Sequence, residues 1–315
     1  MWNDFVFSVN TVIPILVIIT AGFGAKALKL INEEGLRQGN RWVFYLFLPL
    51  LLFNNIKDSA IDKAADPTTL VYAAVTLIAC FLVLFYLIPR VTKDRNACGV
   101  LIQGIARANY AIYGIPLVTM IYPNADISIA VMIVVFAIPI FNVFSTVALM
   151  KYGGVQKTGW DIVRGVLVNP LILGTLLGLG FLLLKLCLPA VIEAPVRMMG
   201  GIASPFALFL LGAGIDFSRA KGNRRLLAGS VTARLVLVPL VFLTGAVLLG
   251  IRDVNLATLI ALYGSPTAVS SFPMTQQLGG DADLAAQQVI FTTVFSGVTI
   301  FIWLFVLKSL GFLAA

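Results

Sequence analysis

The sequence predicts an all-α polytopic membrane protein with ten transmembrane helices arranged as two five-helix repeats. Three observations carry this prediction: an apolar composition, a series of long apolar segments, and a recurring spacing of prolines and glycines. The chain has 315 residues, of which 60% are hydrophobic and 11% charged, and its mean hydropathy is +1.00. A soluble globular domain carries about 25% charged residues. We therefore expect most of the chain to lie in the lipid bilayer.

Ten segments of the chain are apolar and long enough to serve as membrane spans. A helix needs about 20 mostly apolar residues to cross the hydrocarbon layer of a bilayer. The loops between these segments are short, so the sequence leaves no room for a soluble domain. The predicted spans cover residues 6–30, 40–56, 67–89, 97–121, 126–150, 162–187, 191–216, 225–250, 255–277 and 284–310.

The Lys and Arg residues in the loops and toward the ends of the spans are unevenly shared between the two sides. With the N-terminus outside, 14 of them fall on the inner side and six on the outer side. Because loops inside the cell carry the excess of cations, we expect both termini outside and the protein in the cell membrane, which is the inner membrane of a bacterium. This distribution also explains the net charge of +8 without nucleic acid as a partner. The inner cations are Lys26, Lys29, Arg37, Arg41, Arg90, Lys93, Arg95, Lys151, Lys157, Arg164, Arg219, Lys221, Arg224 and Arg225, and the outer ones are Lys57, Lys63, Lys185, Arg197, Arg252 and Lys308.

The prolines and glycines of the first half recur in the second half. The matched pairs are Pro14 with Pro170, Gly22 with Gly178, Gly24 with Gly180 and Pro49 with Pro205, all offset by 156 positions, and Pro116 with Pro273, offset by 157. We expect a first repeat at 1–151, a short cytoplasmic connector at 152–161 and a second repeat at 162–315. Each repeat has five spans, an odd number, so the two repeats must face opposite ways. Inverted repeats with interrupted helices are typical of secondary transporters.

Five motifs, in one order along the chain, are similar to those of a known family. Span 2 contains NRWVFYLFLPLLLF, span 4 contains NYAIYGIPL, and span 6 opens with NP. Span 7 contains SPFALFLLGAGI, and spans 9 and 10 contain SPTAVSSFPMTQQLGGDADLAAQQVIF. Together they resemble the auxin efflux carrier family, which includes plant auxin exporters and bacterial carriers of malate, malonate and related acids. The resemblance implies ten helices in two inverted repeats, broken helices 4 and 9 that cross at the substrate site, and an elevator-like movement.

The chain departs from the plant members of that family in two places. Plant sequences carry a long hydrophilic loop between spans 5 and 6, whereas here only YGGVQKTGWDIV connects them. Plant sequences also have a proline just before the asparagine of span 4, where this chain has Ala108. Both departures favour a bacterial carrier over a plant hormone exporter.

Arg107 and Asn109 are the leading candidates for substrate binding. Arg107 lies near the middle of span 4, where a charged side chain costs about 2.5 to 3.5 kcal/mol on insertion scales. No Asp or Glu lies in the central part of any span, so an anionic substrate is a candidate partner. The alternative is that Arg107 extends to the inner surface or binds carbonyls freed by a helix break. On an intact helix the two side chains would point about 200° apart, so we expect either a break near Ala108 or separate roles for them.

Helix breaks are expected in spans 4 and 9. A break frees N–H groups that form a small positive pole suited to a carboxylate. The residues expected to supply the breaks are Gly114 and Pro116 in span 4, and Gly264, Pro266 and Pro273 in span 9.

Hydroxyl and amide groups in and beside these spans complete the predicted site. Each of these groups could instead have a purely structural role. Ser and Thr in helices commonly bond to the carbonyl one turn earlier. Tyr113 could fill a packing gap, and Asn142 could form a hydrogen bond between two helices. Arg234 in span 8 is expected to anchor at the headgroups. The further substrate-binding candidates are Tyr110, Tyr113, Asn142, Ser265, Thr267, Ser270 and Ser271.

The sequence contains no histidine and no cluster typical of a metal site. We expect no cofactor, no metal and no catalytic residue, and we interpret Cys80, Cys98 and Cys187 as small core residues. An enzyme would need acid, base or metal groups in the spans. The expected function is secondary active or facilitative transport of a small organic anion, a mono- or dicarboxylate, auxin-like acids included. The alternatives are a sodium-coupled carrier of another small solute and an anion channel. The expected partners are that anion and the lipid bilayer, with a homodimer as an assembly state to test.

Overall fold

Helices follow one another through the whole described part of the chain. The structure, a computed structural model, describes residues 2–59, 66–126, 128–153, 158–214 and 224–313, with side chains except at 2–12, 111, 112 and 115. The α-helices are α1 (Trp2–Ala27), α2 (Glu33–Trp42), α3 (Leu48–Lys57), α4 (Pro67–Val91), α5 (Arg95–Ala106), α6 (Tyr110–Ile121), α7 (Ser128–Tyr152), α8 (Gly159–Leu167), α9 (Pro170–Leu183), α10 (Ala190–Ala213), α11 (Arg224–Thr232), α12 (Val238–Leu248), α13 (Asp253–Gly264), α14 (Ser271–Leu278) and α15 (Ala282–Ser309).

Among the described residues, five helical runs are long and apolar enough to cross a membrane. They are α4, α7, α10, α15 and the run Arg224–Leu248, and α8 with α9 makes a sixth span that is bent by 49°. The other four predicted spans fall on α1, on α2 with α3, and on two interrupted pairs, α5–α6 and α13–α14. The protein is therefore an all-helical membrane protein with five or six spans by this criterion. Ten spans stay a prediction.

Some residues used in the sequence analysis lie outside the described part. These are Lys63, Lys157, Arg219 and Lys221 of the charge count, and residues 154–157 of the connector. Of the three cysteines, Cys80 and Cys98 are buried as expected. Cys187 is exposed, so the prediction that it belongs to the core was wrong, because it lies in the loop after α9 rather than inside a helix.

Two long helices contain a π-helical turn just before a proline. Val43–Phe47 joins α2 to α3 ahead of Pro49, and Ala233–Leu237 joins α11 to α12 ahead of Pro239. A proline has no N–H to donate and its ring crowds the carbonyl four residues earlier, so a wider turn relieves both problems. The second π turn contains Arg234 and thereby sets the direction of its side chain.

Glycines allow two helix pairs to approach closely. A Cβ added at Gly22 of α1 would meet the carbonyl oxygen of Phe209 in α10, and one at Gly178 of α9 would lie 2.8 Å from the carbonyl oxygen of Phe53 in α3. In the same way Gly212 of α10 faces the backbone of α1. Small residues at a helix interface let the backbones pack tightly, which is the main source of attraction between helices in lipid. A Cβ added at Gly200 of α10 would also lie 3.1 Å from the backbone N of Leu51 in α3, so α1, α3, α9 and α10 form one packed group.

The interrupted helices meet at their breaks. Residues 107–109 separate α5 from α6, and residues 265–270 separate α13 from α14; we call these two links the crossing. Ala108 and Thr267 form an antiparallel bridge. The N–H of Asn109 donates to the carbonyl of Pro266 at 2.8 Å, and the N–H of Ala268 donates to the carbonyl of Arg107 at 3.2 Å. The crossing thus satisfies backbone groups that the helices have released.

Three of the five residues expected to break the helices lie inside helices instead. Gly264 ends α13 and Pro266 lies in its link, but Gly114 and Pro116 lie within α6, and Pro273 is in the first turn of α14. Gly114 makes room for the ring of Tyr110 one turn earlier, since an added Cβ would lie 2.6 Å from that ring. Pro273 is tolerated because first-turn N–H groups have no partner within their helix.

Candidate functional site

A cavity opens beside the crossing, where the two links face helices α3, α7 and α10. It is small: about 60 Å³ of it is open to the centres of water-sized molecules. Most of its wall is apolar, and Arg107 is the one charged residue among the described residues that line it. The polar residues that line it are Asn55, Arg107, Asn109, Tyr110, Asn142, Ser204 and Ser270. We call it the central cavity.

Arg107 is buried in the wall of this cavity, with 4% of its surface exposed. Its Nη2 donates to Oδ1 of Asn142 at 2.8 Å and to Oγ of Ser270 at 2.9 Å, and its Nη1 points at the sulfur of Met274. All three partners are neutral, and none of the ion pairs among the described residues involves Arg107. The guanidinium is therefore held in place while its charge stays without a counter-charge in the described part of the protein.

Asn142 fixes the orientation of Arg107 from the neighbouring helix α7. Its Oδ1 accepts from Arg107, and its Nδ2 donates to Oγ1 of Thr175 at 3.2 Å. Thr175 in turn donates to the carbonyl of Leu171 at 2.7 Å. This chain of bonds ties the crossing to α9, in the helix group opposite. Asn142 thus forms the helix–helix hydrogen bond that was one of its two expected roles. It also lines the central cavity.

Several hydrogen-bond donors beside Arg107 have no acceptor in the described part of the protein. Nδ2 of Asn109 is buried and has no partner among the described residues. No hydrogen bond from the backbone N–H of Val269 or Ser270 is present within the described residues, and both residues line the central cavity. A buried donor without a partner is costly unless water or a ligand supplies an acceptor. These donors and the guanidinium together suit an anionic group with several acceptor oxygens.

The other predicted site residues divide between the central cavity and the packing around it. Tyr110 lines the cavity, and its hydroxyl donates to the carbonyl of Ala130 at 2.8 Å. Thr267 instead bonds across the crossing to the carbonyl of Gly104 at 2.6 Å. Tyr113, Ser265, Thr267 and Ser271 are all buried and do not line the central cavity.

Arg234 does not extend to the headgroups, so that prediction was wrong. It is 1% exposed and donates to four backbone carbonyls at the ends of α5 and α13. Carbonyl binding was expected as an alternative for Arg107, and the structure gives that role to Arg234. Arg234 lies in the π turn Ala233–Leu237, and its side chain reaches carbonyls that the interrupted helices leave unpaired.

Sequence reasoning missed several residues that shape the site. Ser204 lines the central cavity from α10, while Met274 and Thr175 contact Arg107 and Asn142. Asn55 also lines the cavity, from α3. Ser204 directly precedes Pro205 in the motif SPFALFLLGAGI, and this position was the available signal.

A second cavity shares Leu51 and Asn55 with the central cavity. Its wall also contains Asp58 and Arg197, which form an ion pair at 2.8 Å. The pair belongs to a network in which Lys57 and Arg197 both contact Asp58 and Glu193. The two cavities therefore adjoin at Leu51 and Asn55, near the end of α3.

The described residues contain no group of three or more His, Cys, Asp or Glu side chains that could hold a metal ion. The central cavity offers nitrogen donors to a ligand, which suits an anion better than a cation.

Comparison with known proteins identifies the family. Residues 7–158 and 160–304 match the family described as "Membrane transport protein". The chain is 24% identical over 308 residues to a protein of Rhizobium meliloti (strain 1021) named "Putative malonate transporter", and the match covers 95% of each chain. It is 22% identical over 308 residues to an "Uncharacterized transporter" of Methanothermobacter thermautotrophicus, covering 96% of this chain and 99% of the relative. The resemblance to the auxin efflux carriers is confirmed, and the chain belongs to the membrane transport protein family.

Proposed function

We propose that the protein carries a small organic anion, a mono- or dicarboxylate, by secondary active or facilitative transport. The observation behind this proposal is Arg107, a buried guanidinium in the wall of the central cavity whose partners among the described residues are all neutral. A charge in this environment is expensive, and a carboxylate in the cavity would compensate it. Malonate is the first substrate to test, because a relative over nearly the whole chain carries that name.

The free donors of the central cavity define how a carboxylate would bind. Arg107 has five N–H groups, and its Nε–H and one Nη1–H have no protein acceptor among the described residues. Nδ2 of Asn109 and the N–H groups of Val269 and Ser270 would donate from the other sides. Helices α6 and α14 both begin at this point, so their positive ends also favour an anion.

The close helix contacts support ten spans in two inverted repeats. Gly22 against Phe209 and Gly178 against Phe53 are the same contact made twice, since each residue lies 156 positions from its counterpart. Across the crossing, the N–H of Asn109 meets Pro266, its counterpart at an offset of 157. Contacts between equivalent residues are expected around a pseudo-twofold axis. We therefore assign the first repeat to 1–151, the connector to 152–161 and the second repeat to 162–315.

The position of the central cavity supports an elevator-type movement. One wall comes from α3 and α10, which belong to the group packed through glycines. The other wall comes from the crossing and α7. A ligand between two such groups would cross the bilayer when one group slides past the other, with Arg107 moving alongside its ligand. Both termini would lie outside the cell membrane.

Uptake by liposomes that contain the purified protein tests this function. A carrier of carboxylates gives saturable malonate uptake and accelerated exchange when unlabelled malonate is inside. Arg107→Gln should abolish uptake, whereas Arg90→Gln, a change at an exposed arginine on α4, should not. Malonate flux that rises without saturation would mean a channel. Flux that is equal in the parent and in Arg107→Gln would place the site elsewhere.

A further inference from the structure

Arg234 binds the two broken helices at their carbonyl ends. Its Nε donates to the carbonyl of Ser265 at 2.9 Å, and its Nη2 donates to that of Leu262 at 3.1 Å. Its Nη1 donates to the carbonyls of Ile105 at 3.1 Å and Ala106 at 3.3 Å. One side chain thus contacts the last residues of α5 and the end of α13. Both helices are interrupted here, so these carbonyls have lost their helical partners.

The carbonyl ends of these helices attract positive charge. Each helix C-terminus carries about −0.5 of an elementary charge, so two of them together offer about −1. A guanidinium supplies +1 and donates in a flat fan that reaches several carbonyls at once. None of the ion pairs among the described residues involves Arg234, so these backbone carbonyls are its partners in the described part of the protein.

The same arrangement of groups binds a metal cation in other transporters. Unwound backbone carbonyls and the C-terminal ends of half-helices commonly coordinate a coupling ion such as Na⁺ near the membrane midplane. In this chain the guanidinium of Arg234 occupies the place that such an ion would take. It cannot leave during a transport cycle, as an ion would, because it is covalently part of the α11–α12 run.

We propose that Arg234 acts as a built-in cation that replaces a coupling ion at the crossing, so that anion binding and transport do not depend on Na⁺. The proposal rests on the proposed function, because it describes how the carboxylate site is held. Arg234 is a positioning residue: it bonds the carbonyl of Ala106, which is linked directly to Arg107. Removing its charge should therefore move the groups that bind the anion, without touching the anion itself.

The first test uses the parent protein and malonate. Sodium chloride is replaced with choline chloride at constant ionic strength. Malonate affinity should change by less than about twofold, and the melting temperature should not shift, since no Na⁺ site is linked to binding. A requirement for Na⁺ in either measurement would overturn the proposal.

The second test removes the side chain. Arg234→Ala should bind malonate about tenfold or more weakly, because it leaves several buried carbonyls unpaired. Millimolar guanidinium should restore both affinity and thermal stability, and choline should not. Arg252→Ala is the matched control, because Arg252 also donates to two carbonyls at a helix end, those of Val247 and Ile251, away from the crossing. It should keep the parent affinity and show no response to guanidinium.

Each of the other possible outcomes also supports or contradicts the proposed role of Arg234. If Arg234→Ala binds malonate like the parent, or loses affinity that guanidinium does not restore, Arg234 has no such role. If the variant is recovered unfolded, the yield of folded protein with and without guanidinium replaces the affinity measurement, and an equal yield contradicts the proposal. If the parent binds no carboxylate at all, the proposed function fails, while the response of thermal stability to guanidinium still tests Arg234.

Discussion

Two buried arginines lie beside the crossing, and they differ in the groups they bind. Arg107 bonds neutral side chains and faces the central cavity, whereas Arg234 bonds only backbone carbonyls. A ligand can therefore compensate the charge of Arg107, while two helix ends already compensate that of Arg234. Substitutions at the two positions should accordingly change different properties.

Arg107→Lys should keep the fold and weaken malonate binding. Lysine retains the charge but has no planar fork, so it cannot bond Asn142, Ser270 and a carboxylate together. We expect a loss of about tenfold or more in affinity. Titration calorimetry on the purified variant measures this, with Arg90→Lys as the exposed control. Unchanged affinity would show that charge alone is sufficient at this position.

Asn109→Ala should separate binding from stability. Nδ2 of Asn109 is buried without an acceptor, so its removal should leave the free energy of unfolding within about 0.5 kcal/mol of the parent. Malonate binding should weaken by about 1 to 3 kcal/mol, because a ligand oxygen loses its donor. Thermal unfolding and malonate titration on the same sample check both effects. A large loss of stability with unchanged affinity would make Asn109 a structural residue.

The sequence could identify Arg107 but not the role of Arg234. The sequence alone shows that Arg107 lies in the middle of an apolar span and that no Asp or Glu lies in the central part of any span. The partners of Arg234 include the carbonyl of Ile105, 129 positions away, and no local pattern encodes that contact. The same holds for Ser204 and Asn55, which reach the cavity from other helices.

At the scale of helices, length was predictable and the exact points of interruption were not. The membrane demands about 20 apolar residues per span, so the predicted spans agree with the helix ends to within a few residues in α4, α7, α10 and α15. Gly114 and Pro116 were expected to break span 4 but lie inside α6, whereas the break lies at residues 107–109, around Ala108, which was one of the two possibilities for Arg107 and Asn109. Pairing with residues 265–268 of the other link stabilises the break there, and a single helix's sequence does not show its partner.

The close contact between α1 and α10 gives a prediction at this scale. Gly22→Ala should destabilise the protein by about 1 to 3 kcal/mol, because the added methyl group would overlap the carbonyl of Phe209. Gly24→Ala is the control on the same helix: nothing lies within 4 Å of its added Cβ, so it should be neutral or up to about 1 kcal/mol stabilising. Thermal unfolding in detergent compares them. Equal melting temperatures would mean that α1 and α10 do not pack as described.

For the whole molecule, the orientation in the membrane follows from the charge distribution and can be tested with a native residue. Cys187 is exposed in the loop between α9 and α10, on the side expected to be outside. Cys80 and Cys98 are buried, so Cys187 should react first. A membrane-impermeant maleimide should label intact cells that make the parent protein, and it should not label Cys187→Ser. Labelling that appears only after the cells are opened would reverse the orientation.

The central claim is that the cavity beside the crossing binds a carboxylate through Arg107. Malonate titration of the parent protein and of Arg107→Gln, both folded and in detergent, tests this claim most directly. We expect saturable binding by the parent and a loss of about tenfold or more in the variant, since a neutral amide cannot replace a charged, forked donor. Equal affinity in the two proteins would contradict the claim.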